Sequence, residues 1–251
     1  MKRITITFFL LFLIGFGSIN TIKAQEIVSR NWHYLGEVYL MFPNMSGETG
    51  VGNLPQVSVD ANVSDIFGNL EMGAMFYLEA TNDDWAISSD FIYMKLGQDV
   101  EPGALVTAGD LTMKQYAWEL AALKRITPWL DAGVAGRMNK LEVALDLETI
   151  LNSRSGSGSE TWFDPVIVVR SNNVFNEKWI TQLRLDAGGF GIGSDFTWQF
   201  QANVGYRFSE LIQTSLGYRY IGIDYEQGDG ADQFVYDMDT FGFVARVGFN
   251  F

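Results

Sequence analysis

Apolar and polar positions alternate with a period of two along most of this chain. The C-terminal run shows it most plainly. Phe241, Phe243, Ala245, Val247, Phe249 and Phe251 form one set, and Gly242, Val244, Arg246, Gly248 and Asn250 the other. Successive side chains of a strand point to opposite faces, so this run predicts a strand with one wholly apolar face. Ten segments carry the pattern. They are Trp32–Phe42, Leu70–Ala80, Trp85–Leu96, Met113–Arg125, a run from Leu130 past Asn139, Trp162–Asn172, Trp179–Asp186, Asp195–Phe208, Ile212–Tyr220 and the terminal run. In the sixth, the sequence VIVV leaves the facing open.

The connectors alternate in length. Asn82-Asp83-Asp84, Thr127-Pro128, Asn176-Glu177-Lys178 and Ser209-Glu210 predict tight turns. Between them, 45–69, 97–112, 147–161 and 225–233 predict longer polar loops, and GGFGIGS at 188–194 takes the place of a fifth. Short turns at one end and long loops at the other are the arrangement of an outer-membrane barrel, with both termini in the periplasm. The fold class expected is therefore all-β: a closed antiparallel transmembrane β-barrel of about ten strands. Eight or twelve stay open, because 45–69 holds a short alternating run (QVSVDANVS) and a segment, SDIFGNL, that could form a helical turn. Trp32, Trp85, Trp129, Trp179, Phe208 and Phe249 fall near the short turns or the terminus, as headgroup-seeking aromatics do.

Composition sharpens this picture. Lys2 and Arg3, the apolar run Ile4 to Phe16 and the small Ala24 read as a signal peptide over residues 1–24. Residues 25–251 would then form a single barrel domain, exported through the inner membrane to the outer membrane. That portion holds 14 basic and 30 acidic residues, a formal net charge of −16, which argues against a nucleic-acid partner. With no Cys, disulfides, thiol catalysis and cysteine-based metal sites are excluded.

Residues 69–97 and 186–225 resemble a group of poorly characterised bacterial outer-membrane β-barrel proteins. The resemblance rests on GGFGIGS followed by Thr197-Trp198, and on the paired Gly205-Tyr206-Arg207 and Gly217-Tyr218-Arg219. It implies the barrel and no assigned activity. It also implies that the terminal Phe251 is an assembly signal, so partners would include outer-membrane lipid and the barrel-assembly machinery.

Candidate chemistry lies on the inward faces. Glu37, Glu71, Glu79, Asp90, Glu119 and Asp186, with Arg137, Arg170, Arg184, Arg207, Arg219 and Arg246, are expected to line the lumen. Charges of both signs on adjacent strands suggest cross-strand pairing in a narrow barrel, since guanidinium groups pair carboxylates bidentately. In the two GYR repeats the glycine is expected to make room beside the long Arg. No cofactor or metal is expected: GGFGIGS lacks the helix of a nucleotide site, and the acidic run 224–239 fits no EF-hand and reads as a solvated loop. NSRSGSGSE, 152–160, reads as a flexible loop tip. His33, the single histidine, lies at the periplasmic end of the first strand, which leaves an outer-rim hydrolase without a base, so the chain reads as non-enzymatic. The function expected is a narrow small-solute channel or a largely plugged structural barrel. The alternative is a surface binding or adhesion module that meets an unknown ligand through acidic extracellular loops.

Overall fold

The computed structural model describes residues 32–52, 56–99, 106–149 and 153–251. The leader expected over residues 1–24 lies outside the described residues. In chain order the elements are β1 (His33–Val51), β2 (Val57–Ala61), α1 (Val63–Gly68), β3 (Leu70–Thr81), β4 (Trp85–Asp99), β5 (Val106–Thr127), β6 (Leu130–Thr149), β7 (Ser153–Phe175), β8 (Trp179–Gly189), β9 (Phe196–Arg207), β10 (Ile212–Gln227) and β11 (Phe234–Asn250). From β3 onward each strand pairs antiparallel with the next, and β11 closes the ring on β1 from Asn250↔Leu35 to Phe234↔Val51. The wall is thus a closed ten-stranded antiparallel barrel, with the short β2 as an extra strand.

Closure brings the two ends of the wall together. The Tyr34 and Phe251 backbones exchange hydrogen bonds, each 2.9 Å long. The same end, called here the terminal end, carries the four short turns. Each has local turn chemistry. Asn82 Oδ1 accepts from the N–H groups of Asp84 and Trp85, an Asx turn. Asn176 and Glu177 both have positive φ, and the Lys178 N–H donates to the Phe175 carbonyl. That is the geometry of the two-residue turn whose twist matches a hairpin.

Alternation is obeyed along the walls. In β7, Val168 is fully buried while Ile167 is 57 % exposed, so VIVV presents its apolar side chains to both faces. The outward faces carry exposed Val38, Leu40, Phe76, Leu78, Leu216, Phe243 and Val247. No helix among the described residues is long and apolar enough to cross a membrane; any crossing falls to the strands.

The far end differs from the sequence expectation. Much of the stretches 97–112 and 147–161 is strand. β5, β6 and β7 run 22, 20 and 23 residues, against 11 for β8. Pairs such as Gln98↔Leu111 and Asp146↔Ser155 continue the ladder. Backbone bonding to a neighbour sustains these polar extensions, which need no apolar face. At about 3.3 Å per residue, β7 is roughly 40 Å longer than β8. The segment 152–160 is accordingly, from Ser153 on, the first part of β7 rather than a loop tip. Likewise the acidic run 224–239 is mostly the ends of β10 and β11, with only a short turn at Gly230–Asp232 between them.

Candidate functional site

The inward side chains meet in a layer of ion pairs to which every wall strand contributes. Glu119 on β5 accepts from Arg137 on β6 at 2.7 Å and from Arg184 on β8 at 2.7 Å. Asp186 on β8 bridges the same two guanidinium groups at 3.0 and 2.8 Å. Arg219 on β10 reaches Asp90 on β4 at 3.0 Å and the Gln199 carbonyl on β9 at 2.8 Å. The hydroxyl of Tyr39 on β1 donates to Asp90 at 2.6 Å. Arg246 on β11 pairs with Glu37 on β1 at 2.9 Å and lies 4.4 Å from the Tyr39 ring centroid. Arg170 on β7 pairs with Asp131 on β6 at 2.9 Å and with Glu79 on β3, whose partner Tyr77 shares the contact.

Most of these groups are buried, Arg137 at 4 % exposure and Asp186 at 7 %. A buried charge is tolerated only when paired and hydrogen-bonded. Here Glu37, Glu79, Asp90, Glu119, Asp131 and Asp186 face Arg125, Arg137, Arg170, Arg184, Arg219 and Arg246. Six acids balance six bases within these pairs, and Asp164, fully buried and opposite Arg137 in the β6–β7 register, adds a seventh acid held by Asn139 and Ser194.

Most of the residues expected in the lumen are in this layer, with two exceptions. Glu71 is exposed and pairs with Lys95, which β4 turns outward. The register of β3 against β4 slips between Leu70 and Met72. This bulge re-aims the strand, so Leu70 packs inward and Glu71 faces out. Arg207 does line the interior near the terminal end, but it has no carboxylate partner among the described residues. The layer also includes Asp131, together with Tyr39, Tyr77 and Gln199, which the lumen expectation left out. Asp131 was readable as an inward acid; the tyrosines and the glutamine gave no charge signal.

The two motifs have structural explanations. A Cβ on Gly217 would collide with Asn203 Oδ1, so its glycine makes room for the neighbouring strand's Asn203 rather than for Arg219. In GGFGIGS, Ser194 is pinned by buried Asp164, whose carboxylate accepts from the Ser194 N–H at 2.6 Å and from its hydroxyl at 3.0 Å. Gly193 lies against the Phe163 carbonyl, where a Cβ would clash. The motif therefore fastens the β8–β9 turn to β7.

Two spaces flank the ion-pair layer. Toward the terminal end is an open polar vestibule of about 770 Å³, which Arg125, Gln182, Asn203, Arg207 and Gln213 help to line. Toward the far end the interior becomes apolar. Met45, Ile66, Met94, Leu141, Trp162, Ile223, Tyr225, Phe234, Tyr236 and Met238 are buried together. Trp162 stacks on Tyr225 with centroids 4.3 Å apart. Among the described residues no group of acids and histidines is placed to hold a metal ion.

No protein-family model and no curated protein matches the sequence. Solved structures do. The outer membrane protease OmpT from Escherichia coli is 7 % identical over 89 % of this chain and 97 % of its own, with a TM-score of 0.53. Ail, the attachment invasion locus protein of Yersinia pestis, is 12 % identical over 88 % of this chain and 99 % of its own, with a TM-score of 0.35. Neisserial surface protein A is 10 % identical over 88 % and 97 %, with a TM-score of 0.32. Identities this low bear on fold alone. The likeness to OmpT agrees with the closed antiparallel barrel already evident in the strand ladders.

Proposed function

We propose that this protein spans the bacterial outer membrane as a closed, non-conducting and non-enzymatic barrel, with its terminal end in the periplasm. The observation that carries the reading is the buried ion-pair layer, to which all ten wall strands contribute buried side chains. The apolar band on the outward face supports the membrane location. His33 is exposed at the mouth of the vestibule, where Glu37 and Glu79, which line the same space, are ion-paired to Arg246 and Arg170, which supports a barrel without hydrolytic chemistry.

Planar-bilayer recording tests the closed state. The refolded chain should show no steady current, and a large stable conductance would move it to the open-pore class. A second reading, contact with a ligand at the cell surface, is favoured by the long rise of β5, β6 and β7 beyond β8. The two readings are compatible, because a plugged barrel leaves its work to its ends.

A further inference from the structure

β1 lacks a wall partner along part of one edge. It pairs with β3 only from His33 to Val38 and with β2 only from Met45 to Thr49. Tyr39–Asn44, about 20 Å of strand, has no strand on that side. The Tyr34–Phe251 exchange shows that even-numbered residues of β1 aim their backbone groups at β11. Odd-numbered ones therefore face the split. Pro43 is one of these, and proline has no N–H to leave unpaired there. A break in a barrel wall at an apolar depth is otherwise disfavoured, because unpaired backbone groups meet hydrocarbon.

The split opens at the level of outward-facing Leu40, Phe42 and Met72. Behind it lies the apolar half of the interior. A residual cavity of about 60 Å³ there is lined by Met41, Pro43, Met45, Met75, Ile92 and Met94, among others. α1 closes the split. Phe67 stacks on Phe42 with centroids 5.6 Å apart, and Ile66 is buried in the same apolar cluster as Met45, Met94 and Ile223, three residues that also line the cavity. Only Ile66 of α1 is buried, and the helix has a single six-residue span capped by Asn62 and Asp65.

We propose that this chamber is a binding site for an aliphatic chain, which enters sideways from the surrounding lipid between β1 and β3 and displaces Ile66. The inference rests on the membrane-spanning reading. Four methionines in the cavity wall supply unbranched, adaptable surface that can re-pack around a flexible chain. The cavity floor offers no free charge for a headgroup, since Asp90 pairs with Arg219 and Glu119 with Arg137. A polar end would therefore stay at the split. The medium in contact with the split is itself acyl chains.

The test uses the full chain folded in phosphatidylcholine vesicles and electron paramagnetic resonance. Two probes are compared: stearic acid, and phosphatidylcholine, each spin-labelled near the methyl end of the chain. The protein has no Cys, so Phe42→Cys with Phe67→Cys gives a unique pair for a short, reducible thiol cross-linker that pins α1. Cross-linking should remove a strongly immobilised component and reduction should restore it; annular lipid is the same in both states and cancels. Ile66→Ala should tighten probe binding about tenfold, equivalent to ~1.4 kcal/mol. Ile66→Trp, which fills the chamber, should abolish the component and serves if the cysteine variant does not fold. A response to stearic acid alone assigns a free fatty chain, and a response to the labelled phospholipid assigns a membrane lipid. Spectra indifferent to cross-linking and to both Ile66 variants would overturn the proposal. Failure of the wild type to float with vesicles would instead sink the membrane-spanning reading.

Discussion

Glu119 shows how much one side chain can hold. It accepts from both Arg137 and Arg184, and with Asp186 it links β5, β6 and β8 across the interior. Glu119→Ala would leave two buried guanidinium groups sharing Asp186 as their one carboxylate in this cluster. Breaking a buried pair this way costs about 3–5 kcal/mol, and reversible urea unfolding in vesicles should show a loss of that size. Asp224 is a contrasting case on the outward side near the far end, beyond the Trp198–Tyr220–Phe241 aromatic stack. Partial burial, then the charges of Asp237, Asp195 and Glu226, push its carboxyl above the usual range. A carboxyl raised in the folded state favours folding at low pH, and that contribution is lost as pH rises through its folded pKa. Asp224→Asn should therefore stabilise at neutral pH, with the gain fading as pH falls into the carboxylate range; thermal melts across pH check this. At this scale the sequence was partly legible. Alternation places Glu119, Arg137, Arg184 and Asp186 on inward faces. Pairing of these charges was expected, but which acid meets which guanidinium across the lumen was not readable, because Arg184 and Glu119, like Arg137 and Asp186, stand on strands that share no ladder. Glu71 was misplaced for a definite reason: a single bulge inverts facing, and alternation alone carries no mark of it.

At the scale of elements, the tight turns were readable and the tall strands were not. Asn82 and Asn176 mark hairpins because Asn caps its own turn or tolerates positive φ. Glu177 is the weak point of its turn, since a non-glycine residue at φ 60 is crowded by its own Cβ. Glu177→Gly should raise stability by about 1 kcal/mol, measurable as a shift in the same urea transition. The far-end extensions of β5, β6 and β7 escaped notice because their ladders run through Ser, Gly and acidic residues, which carry no two-face contrast. The apolar half of the interior escaped for the opposite reason. Along Ile221, Ile223 and Tyr225, and again along Phe234, Tyr236 and Met238, the inward set is as apolar as an outward one. A lumen assumed to be polar gives such residues nowhere to go but a loop. The short run at Val57–Ala61 and the helical turn in SDIFGNL were both visible as local patterns. Their effect, which is to interrupt the β1–β3 pairing and close the resulting split, is a long-range consequence that local patterns do not express.

For the molecule as a whole, the ten paired strands close into a ring, and among the described residues the wall leaves edges free at the β1–β3 split and along the part of β7 that rises past β8. Such a ring should resist detergent, so the unboiled chain should run at a different apparent size from the boiled chain on a denaturing gel. A single size under both conditions would count against a closed barrel in solution. Phe251 closes the wall against Tyr34, and its expected part in assembly is open to test. It stacks on Tyr34 at a centroid distance of 6.3 Å and is otherwise exposed, so deleting it should lower the folded level in cells while changing refolding in vesicles little. The reciprocal bonds between Tyr34 and Phe251 have one further consequence. The ends of the wall are already neighbours, so a short flexible linker can join them, and the chain can be cut anew at the exposed turn Ser209–Leu211 between β9 and β10. This circular permutant would keep every hydrogen-bonded ladder while moving Phe251 from the end of the chain to its interior. It separates strand order from closure: the permutant should refold in vesicles to the same barrel, seen as the same difference in apparent size between boiled and unboiled chain.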